Sequence, residues 1–167
     1  TSLFGLFRSY YIEETRYTLK LMASMAPYSF KGHPAVKNSL FRKELGKNRI
    51  ITEESVNDLF PLTNIVITSG SGVAVEAVAC GISVIVVAVV DEVMEQNYLI
   101  DVGKGKIWDV VSNEDELIEK YWALLNFRED NPEEIESIST WYKNNFFHEA
   151  TKESILRVFN CENFSDS

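Results

Sequence analysis

The sequence predicts an α/β domain built on a single Rossmann-like, doubly wound parallel sheet with helices on both faces. Two apolar runs, 64–68 and 83–89, are rich in β-branched residues and nearly unbroken, as is typical of parallel strands buried on both faces. One short helix lies between them, and strand and helix patterns alternate along the chain. Helices between consecutive strands favour parallel pairing through right-handed crossovers.

Composition limits the classes of protein to which the chain can belong. Its 167 residues suit one domain with a sizeable core, and 46% hydrophobic residues exclude a disordered protein. We predict one Rossmann-like domain over 1–161 and a frayed polar tail over 162–167. The net charge of −9 argues against nucleic-acid or anionic-membrane partners. Any phosphate site must therefore be formed by a few neighbouring groups and not by a broad basic surface.

The cysteines and the lack of long apolar runs predict a cytoplasmic protein. Cys80 and Cys161 have no metal-ligand or redox spacing, so reduced thiols are expected. No run reaches the roughly 18–20 apolar residues of a membrane helix, and no signal-peptide pattern is present. The chain begins at Thr1 without Met, which fits either Met removal or a piece of a longer protein.

Before the central strands, proline and glycine mark the boundaries of the predicted elements. Pro27, Gly46 and Pro61 each end a helical pattern, and 32–34 forms a polar turn after a strand. The predicted strands are 2–7, 28–31 and 49–52, and the predicted helices are 13–26, 35–45 and 53–60.

After the central strands, the pattern predicts one more strand and three helices. Gly103-Lys104-Gly105 makes a turn before a strand over 107–111. Ser112, with an acidic residue three positions later, predicts a capping box that opens a helix. Pro132 at a first helical position opens the next helix, with Ile135, Ile138 and Trp141 or Tyr142 inside. The last helix is predicted over 149–159.

A loop of two serines and two glycines follows the first central strand and precedes the short helix. Its residues are Ser69, Gly70, Ser71 and Gly72. Uncovered backbone N–H groups at a helix N-terminus, where the helix dipole favours negative charge, predict phosphate binding. The alternative is a tight turn in which glycine only avoids steric clash.

Three further side chains are candidates to bind the same ligand. Glu76, one turn into the helix, can accept hydrogen bonds from ribose hydroxyls, or it is a solvated glutamate near a helix N-terminus. His33, beside Lys31 in a loop after a strand, can approach the phosphates with that lysine. Alternatively, the histidine is a turn residue bonded to backbone.

Other kinds of site find less support. The carboxylates Asp91, Glu92 and Glu95 follow a strand, where they can hold substrate hydroxyls or simply begin a helix. No metal is expected, because no His or Cys pair has ligand spacing. The Gly-Lys-Ser/Thr ending of a P-loop and the Gly-x-Ser-x-Gly of a serine-nucleophile elbow are also missing.

Four motifs in this order resemble the C-terminal, donor-binding domain of GT-B-fold glycosyltransferases. They are Lys31-Gly32-His33-Pro34, the 68–72 loop, Glu76-Ala77 and the segment 80–85. The resemblance covers most of 28–125 and is greatest to bacterial enzymes that build capsule, lipopolysaccharide or teichoic-acid polymers. Ser83 stands where that family usually has proline, and Gly70 separates two serines that are often adjacent in sialyl- and Kdo-type enzymes. The donor nucleotide is therefore not assigned to CMP.

The resemblance implies a nucleotide-activated sugar as donor substrate and no separate cofactor. In that family the His-Pro turn and the serine loop hold the donor phosphates, which assigns those roles to His33, Ser69 and Ser71, and the ribose contact to Glu76. A complete GT-B enzyme has a preceding domain with the acceptor site and usually the catalytic base. The resemblance therefore implies an N-terminal acceptor domain or partner subunit, little activity without it, and no catalytic residue that can be named here.

Two other functions remain compatible with the sequence. Gly70-x-Gly72 after a strand, with Asp91 at the end of the next strand, fits an NAD-type dinucleotide-binding Rossmann domain. Against this alternative, Val75 stands where the third glycine is expected. The other alternative is a non-catalytic nucleotide-binding module.

Overall fold

The computed structural model describes residues 3–25, 27–33, 36–51, 53–88, 99–147, 151 and 154, with side chains from residue 11 onward. Within this part of the chain, helices and strands alternate as far as residue 87. The helices are α1 Leu3–Leu21, α2 Arg42–Leu45, α3 Val56–Leu59, α4 Val73–Ala79, α5 Glu114–Asp130 and α6 Pro132–Phe146. The strands are β1 Ser29–Lys31, β2 Arg49–Ile51, β3 Ile65–Thr68, β4 Ser83–Val87 and β5 Trp108–Val111.

Short 3₁₀ turns extend three of these helices. They cover Met22–Met25 after α1, Asn38–Phe41 before α2 and Phe60–Leu62 after α3. Pro61 therefore lies inside the last of these turns, just beyond the end of α3. None of the described helices combines the length and the apolar character needed to cross a membrane.

The predicted N-terminal strand over 2–7 is wrong, because α1 already runs from Leu3 to Leu21. The apolar residues before Phe7 suit a short separate strand. No proline or turn sequence separates them from the helical pattern that follows, so one helix continues through both.

The strands form two parallel sheets, which confirms parallel α/β architecture but not a single sheet. β1 pairs with β2, with Phe30 opposite Ile50. The other sheet has the order β3-β4-β5, with Ile67 opposite Ile85 and Val86 opposite Val110. β4 is thus the central strand of three.

Both faces of the three-stranded sheet are covered, as predicted. Val84 and Val86 point into a core shared with α4 and α6, here called the α4–α6 cluster. Ile85 and Val87 point the other way, into a core shared with α5 and the end of α1, the α5 cluster. All five residues of β4 are buried, because each face of the strand meets a helix layer.

A third core joins α1 to the two-stranded sheet region. This N-terminal cluster is built on Leu19, Phe41 and Leu45, with Val36 beside them. Tyr28, just before β1, packs against both the N-terminal cluster and the α5 cluster. The two sheet regions therefore share this side chain.

Two buried aromatic residues fix the segment that precedes β5. Trp108 donates from Nε1 to Val102 O at 2.9 Å. Tyr142 Oη lies 3.0 Å from Ile100 O and 3.1 Å from Val102 O, and burial raises the pKa of this phenol. Gly103, between these anchors, has a φ of 77°.

The cap of α5 differs by one residue from the prediction. Asn113, and not Ser112, is the N-cap, and its side chain accepts the N–H of Glu116. Glu116 in turn accepts from Ser112 N at 2.7 Å, and this hydrogen bond lowers the pKa of the Glu116 carboxyl. Pro132 is the first residue of α6, as predicted.

Several predicted features fall outside the described residues. They are the carboxylates Asp91, Glu92 and Glu95, the end of the strand predicted over 83–89, and the helix predicted over 149–159 apart from residues 151 and 154.

Candidate functional site

The loop of Ser69, Gly70, Ser71 and Gly72 joins β3 to α4, as the sequence predicts. α4 is seven residues long and buries its small side chains Ala74 and Ala77. Gly81 follows it with a φ of 76°, the left-handed conformation expected just after a helix. The loop thus lies at the carboxyl end of β3, where open α/β sheets bind ligands.

The backbone donors of this loop differ from those expected. The first N–H groups of α4 are already bonded: Ala74 N–H donates to Ser71 O and Val75 N–H to Gly72 O, both at 3.0 Å. The helix N-terminus is therefore closed by its own loop. By contrast, no hydrogen bond among the described residues uses the N–H groups of Gly70, Ser71 or Gly72. The donors available to an anion lie in the loop and not in the first turn.

Gly72 is not explained by steric need. Its φ of −57° and ψ of −25° are ordinary helical values that any residue adopts. A Cβ added there would meet no atom within 4 Å. Gly32 differs, because a Cβ at that position would collide with Asn38 Oδ1. Avoidance of a steric clash therefore does not explain glycine at position 72. Because glycine has no side chain, a ligand can approach the backbone closely at this position.

A cavity of about 260 Å³ lies beside this glycine, lined by Gly72, Val75, Glu76, Phe146 and Phe147. Glu76 is half-buried and shares the cavity with Gly72, as expected for a helical side chain that points toward the helix N-terminus. Its carboxylate forms no hydrogen bond or ion pair with any other described residue. A half-buried carboxylate without a partner is suited to accept hydrogen bonds from a ligand.

Phe146 and Phe147 were missed by the sequence reasoning, which followed α6 only as far as Tyr142. They close the cavity from the end of α6 and are 41% and 43% exposed. The signal was present in the sequence, because two adjacent phenylalanines follow the polar pair Asn144-Asn145. One helix face cannot bury both neighbours, so at least one had to face outward.

No family model matches this chain, and no curated protein is significantly similar to it.

Lys31 and His33 lie at the end of β1, in the two-stranded sheet. Lys31 Nζ donates to Glu54 O at 2.6 Å. His33 N–H donates to Tyr11 Oη at 3.0 Å, and the two rings make an edge contact at 5.3 Å. Neither residue is among the described residues that line the cavity beside Glu76. The structure brings Gly72 and Glu76 together, whereas Lys31 and His33 are held by other contacts.

A second cavity, of about 280 Å³, lies at the opposite end of α4. Cys80 and Gly81 line it together with Arg128 and Lys143. It borders the start of β4, the amino end of the strand. The cavity beside Gly72 is the better candidate, because it lies at the carboxyl ends of the strands.

Proposed function

We propose that this chain is the donor-binding half of a glycosyltransferase that uses a nucleotide-activated sugar in bacterial surface-polysaccharide synthesis. The observation that carries the proposal is the cavity shared by Gly72 and Glu76 at the carboxyl end of β3. It combines a glycine that the fold does not require with a carboxylate that has no described partner. The order of the motifs from Lys31 to Ile85 supports the same function by resemblance.

In this proposal the diphosphate of the donor lies on the 69–72 loop. The N–H groups of Gly70, Ser71 and Gly72 and the hydroxyls of the two serines supply the donors that a phosphate requires. Glu76 then accepts hydrogen bonds from the ribose hydroxyls. Because the net charge is −9, these local donors must outweigh a repulsive overall field.

Lys31 and His33 join this site only if the two sheets form the adjoining halves of one Rossmann-like sheet. The packing of Tyr28 against both cores supports that arrangement. β1 and β3 would then end at the same edge, and the His33 loop would face the phosphates. Lys31 would first have to leave its hydrogen bond with Glu54 O.

The size of the cavity supports a partner domain. Ligand pockets commonly measure about 300–1,000 Å³, and this one, at about 260 Å³, holds only part of a nucleotide sugar. The remainder of the donor must be covered by an acceptor-binding domain or subunit, which also supplies the acceptor site. We place this activity in the cytoplasm, because Cys80 and Cys161 lack a disulfide-type spacing.

Replacing Glu76 with alanine is the direct test of the proposal. Loss of a charge-assisted hydrogen bond costs about 1.5–3 kcal/mol, so nucleotide affinity should fall roughly ten-fold or more. Calorimetric titration of the wild type and the variant with UDP, CMP, CDP and NAD measures this. Glu129→Ala, at an exposed glutamate near the end of α5, is the matched control and should bind nucleotides with wild-type affinity.

Equal affinities of wild type and Glu76→Ala for every nucleotide, with both proteins folded, would reject the proposal. Tight binding of NAD alone would favour the dinucleotide-binding alternative.

Replacing Gly72 with alanine should change nucleotide binding and the stability of the fold in opposite directions. The conformation at Gly72 suits alanine, so the free energy of unfolding should rise by about 0.4–1 kcal/mol, because the unfolded chain loses freedom. The added methyl group would stand in the path of the phosphates, and nucleotide binding should weaken. Urea denaturation and calorimetry measure the two effects.

Gly46→Ala provides the converse control for this variant. Its Cβ also meets no atom within 4 Å, but its φ is 55°, so alanine there is strained. This control should lose stability and keep nucleotide affinity. Unchanged nucleotide binding by Gly72→Ala would show that the ligand does not approach this backbone.

A further inference from the structure

We infer that Phe146 and Phe147 form the wall against which the base of the donor nucleotide stacks, so that the cavity beside Glu76 binds a nucleoside. This inference rests on the proposed function and extends it. It assigns the cavity to one part of the donor, and it predicts that nucleotides are preferred over simple phosphorylated sugars.

The first evidence is the exposure of two adjacent aromatic rings. Phe146 and Phe147 are 41% and 43% exposed, and both line the same cavity. A single exposed apolar side chain is ordinary, whereas a paired apolar surface that borders a cavity indicates a binding site. Their common neighbours in the cavity wall are Gly72, Val75 and Glu76.

A second observation is that the ring of Phe146 is packed, and the backbone of Phe147 is hydrogen-bonded, before any ligand arrives. Phe146 stacks on Tyr142, with ring centroids 5.4 Å apart and planes at 15°, and meets Trp141 edge-on. Tyr142 is itself fully buried. Phe147 N–H donates to Lys143 O at 3.1 Å, which closes the end of α6. A ring that is already ordered loses little entropy when a base stacks on it.

A third observation is that the lining of the cavity is mostly apolar. Among its described lining residues, Glu76 has the only polar side chain. A sugar ring buried there would leave most of its hydroxyls without partners, which is unfavourable. A nucleoside fits better, because its base offers an apolar face to the rings and its ribose offers two adjacent hydroxyls to one carboxylate. The 5′ side of the ribose would then point toward Gly72 and the phosphate loop.

The test compares ligands that differ only in the base. Calorimetry on the whole chain would use UMP, CMP and ribose 5-phosphate, with the wild type, Phe147→Ala and Phe147→Trp. Stacking of a base on an aromatic ring contributes about 1–3 kcal/mol to binding. Phe147→Ala should therefore lower the affinity for UMP or CMP about ten-fold. Ribose 5-phosphate should bind the wild type and Phe147→Ala with equal affinity. Phe147→Trp should keep the wild-type affinity for UMP and CMP. Trp122→Ala, at a more exposed aromatic side chain outside the cavity, should have no effect.

Phe147→Leu keeps the inference testable if the alanine variant does not fold, because leucine preserves apolar contact and removes the ring. The inference is overturned if Phe147 variants leave the affinity for UMP and CMP unchanged, or lower the affinity for ribose 5-phosphate as much as that for the nucleotides.

If Glu76→Ala still weakens nucleotide binding in that case, the proposed function stands without the aromatic wall. A folded wild type that binds no nucleotide overturns both. Binding of a free monosaccharide that depends on Phe147 also overturns the inference, since it assigns the wall to the sugar.

Discussion

Replacing Trp108 with alanine is expected to lower the free energy of unfolding by about 3–5 kcal/mol, the usual range for removing a large buried aromatic side chain. Trp108 is 1% exposed and belongs to the α4–α6 cluster. Its loss would also remove the hydrogen bond to Val102 O and the contact of Lys104 Nζ, which lies 5.6 Å from the ring centroid. Since small domains are stable by about 5–15 kcal/mol, this variant should be close to unfolding at room temperature.

Urea denaturation followed by circular dichroism measures this effect. Trp122→Ala is the matched control, because Trp122 is 59% exposed on α5, and its change should stay within about 0.5 kcal/mol. Trp108→Phe should lie between the two, because it keeps a ring in the core and loses the hydrogen bond. Similar midpoints for Trp108→Ala and Trp122→Ala would contradict the packing described around β5.

Replacing Gly103 with alanine is expected to cost about 2–5 kcal/mol, from left-handed backbone strain together with overpacking. The φ of Gly103 is 77°, and a Cβ there would lie 2.8 Å from Cγ2 of Ile107 and 2.8 Å from Cγ2 of Ile138. Both isoleucines are buried in the α4–α6 cluster, so neither side chain can move aside into solvent.

Gly105 is a matched position that separates the two effects. Its φ is 74°, and a Cβ there would meet nothing within 4 Å. Gly105→Ala should therefore lose only the strain, about 1–2 kcal/mol. Thermal and urea denaturation of the two variants give the difference directly. If Gly105→Ala is as destabilised as Gly103→Ala, the close packing around Gly103 is not the cause.

The central strands could be predicted because their residues leave few alternatives. The run from Ser83 to Val87 is apolar at consecutive positions after its first residue and rich in β-branched residues, as is typical of a short strand covered on both faces. Gly81 and the 103–105 turn were equally clear, because their backbone conformations favour glycine. The position of Glu76 followed from helix geometry alone.

The remaining features depend on contacts that the local pattern does not contain. The residues before Phe7 suit a short strand as well as the first turns of a helix. The division into two sheets depends on whether β1 pairs with β3, which no local pattern specifies. The first-turn N–H groups of α4 were expected to be open, but Ser71 and Gly72 supply backbone acceptors for them. Phe146 and Phe147 line the cavity with Gly72 and Glu76 because α6 packs on α4.

The strand order β3-β4-β5 also has a consequence for the way in which the chain is made. Each described strand of this sheet pairs with the described strand that precedes or follows it in the sequence. Chains emerge from the ribosome from the N-terminus, and domains fold as they are synthesised. β4 therefore finds its partner already outside the ribosome, and β5 then finds β4. The three described strands of the sheet that carries the 69–72 loop can therefore come together in the order of translation.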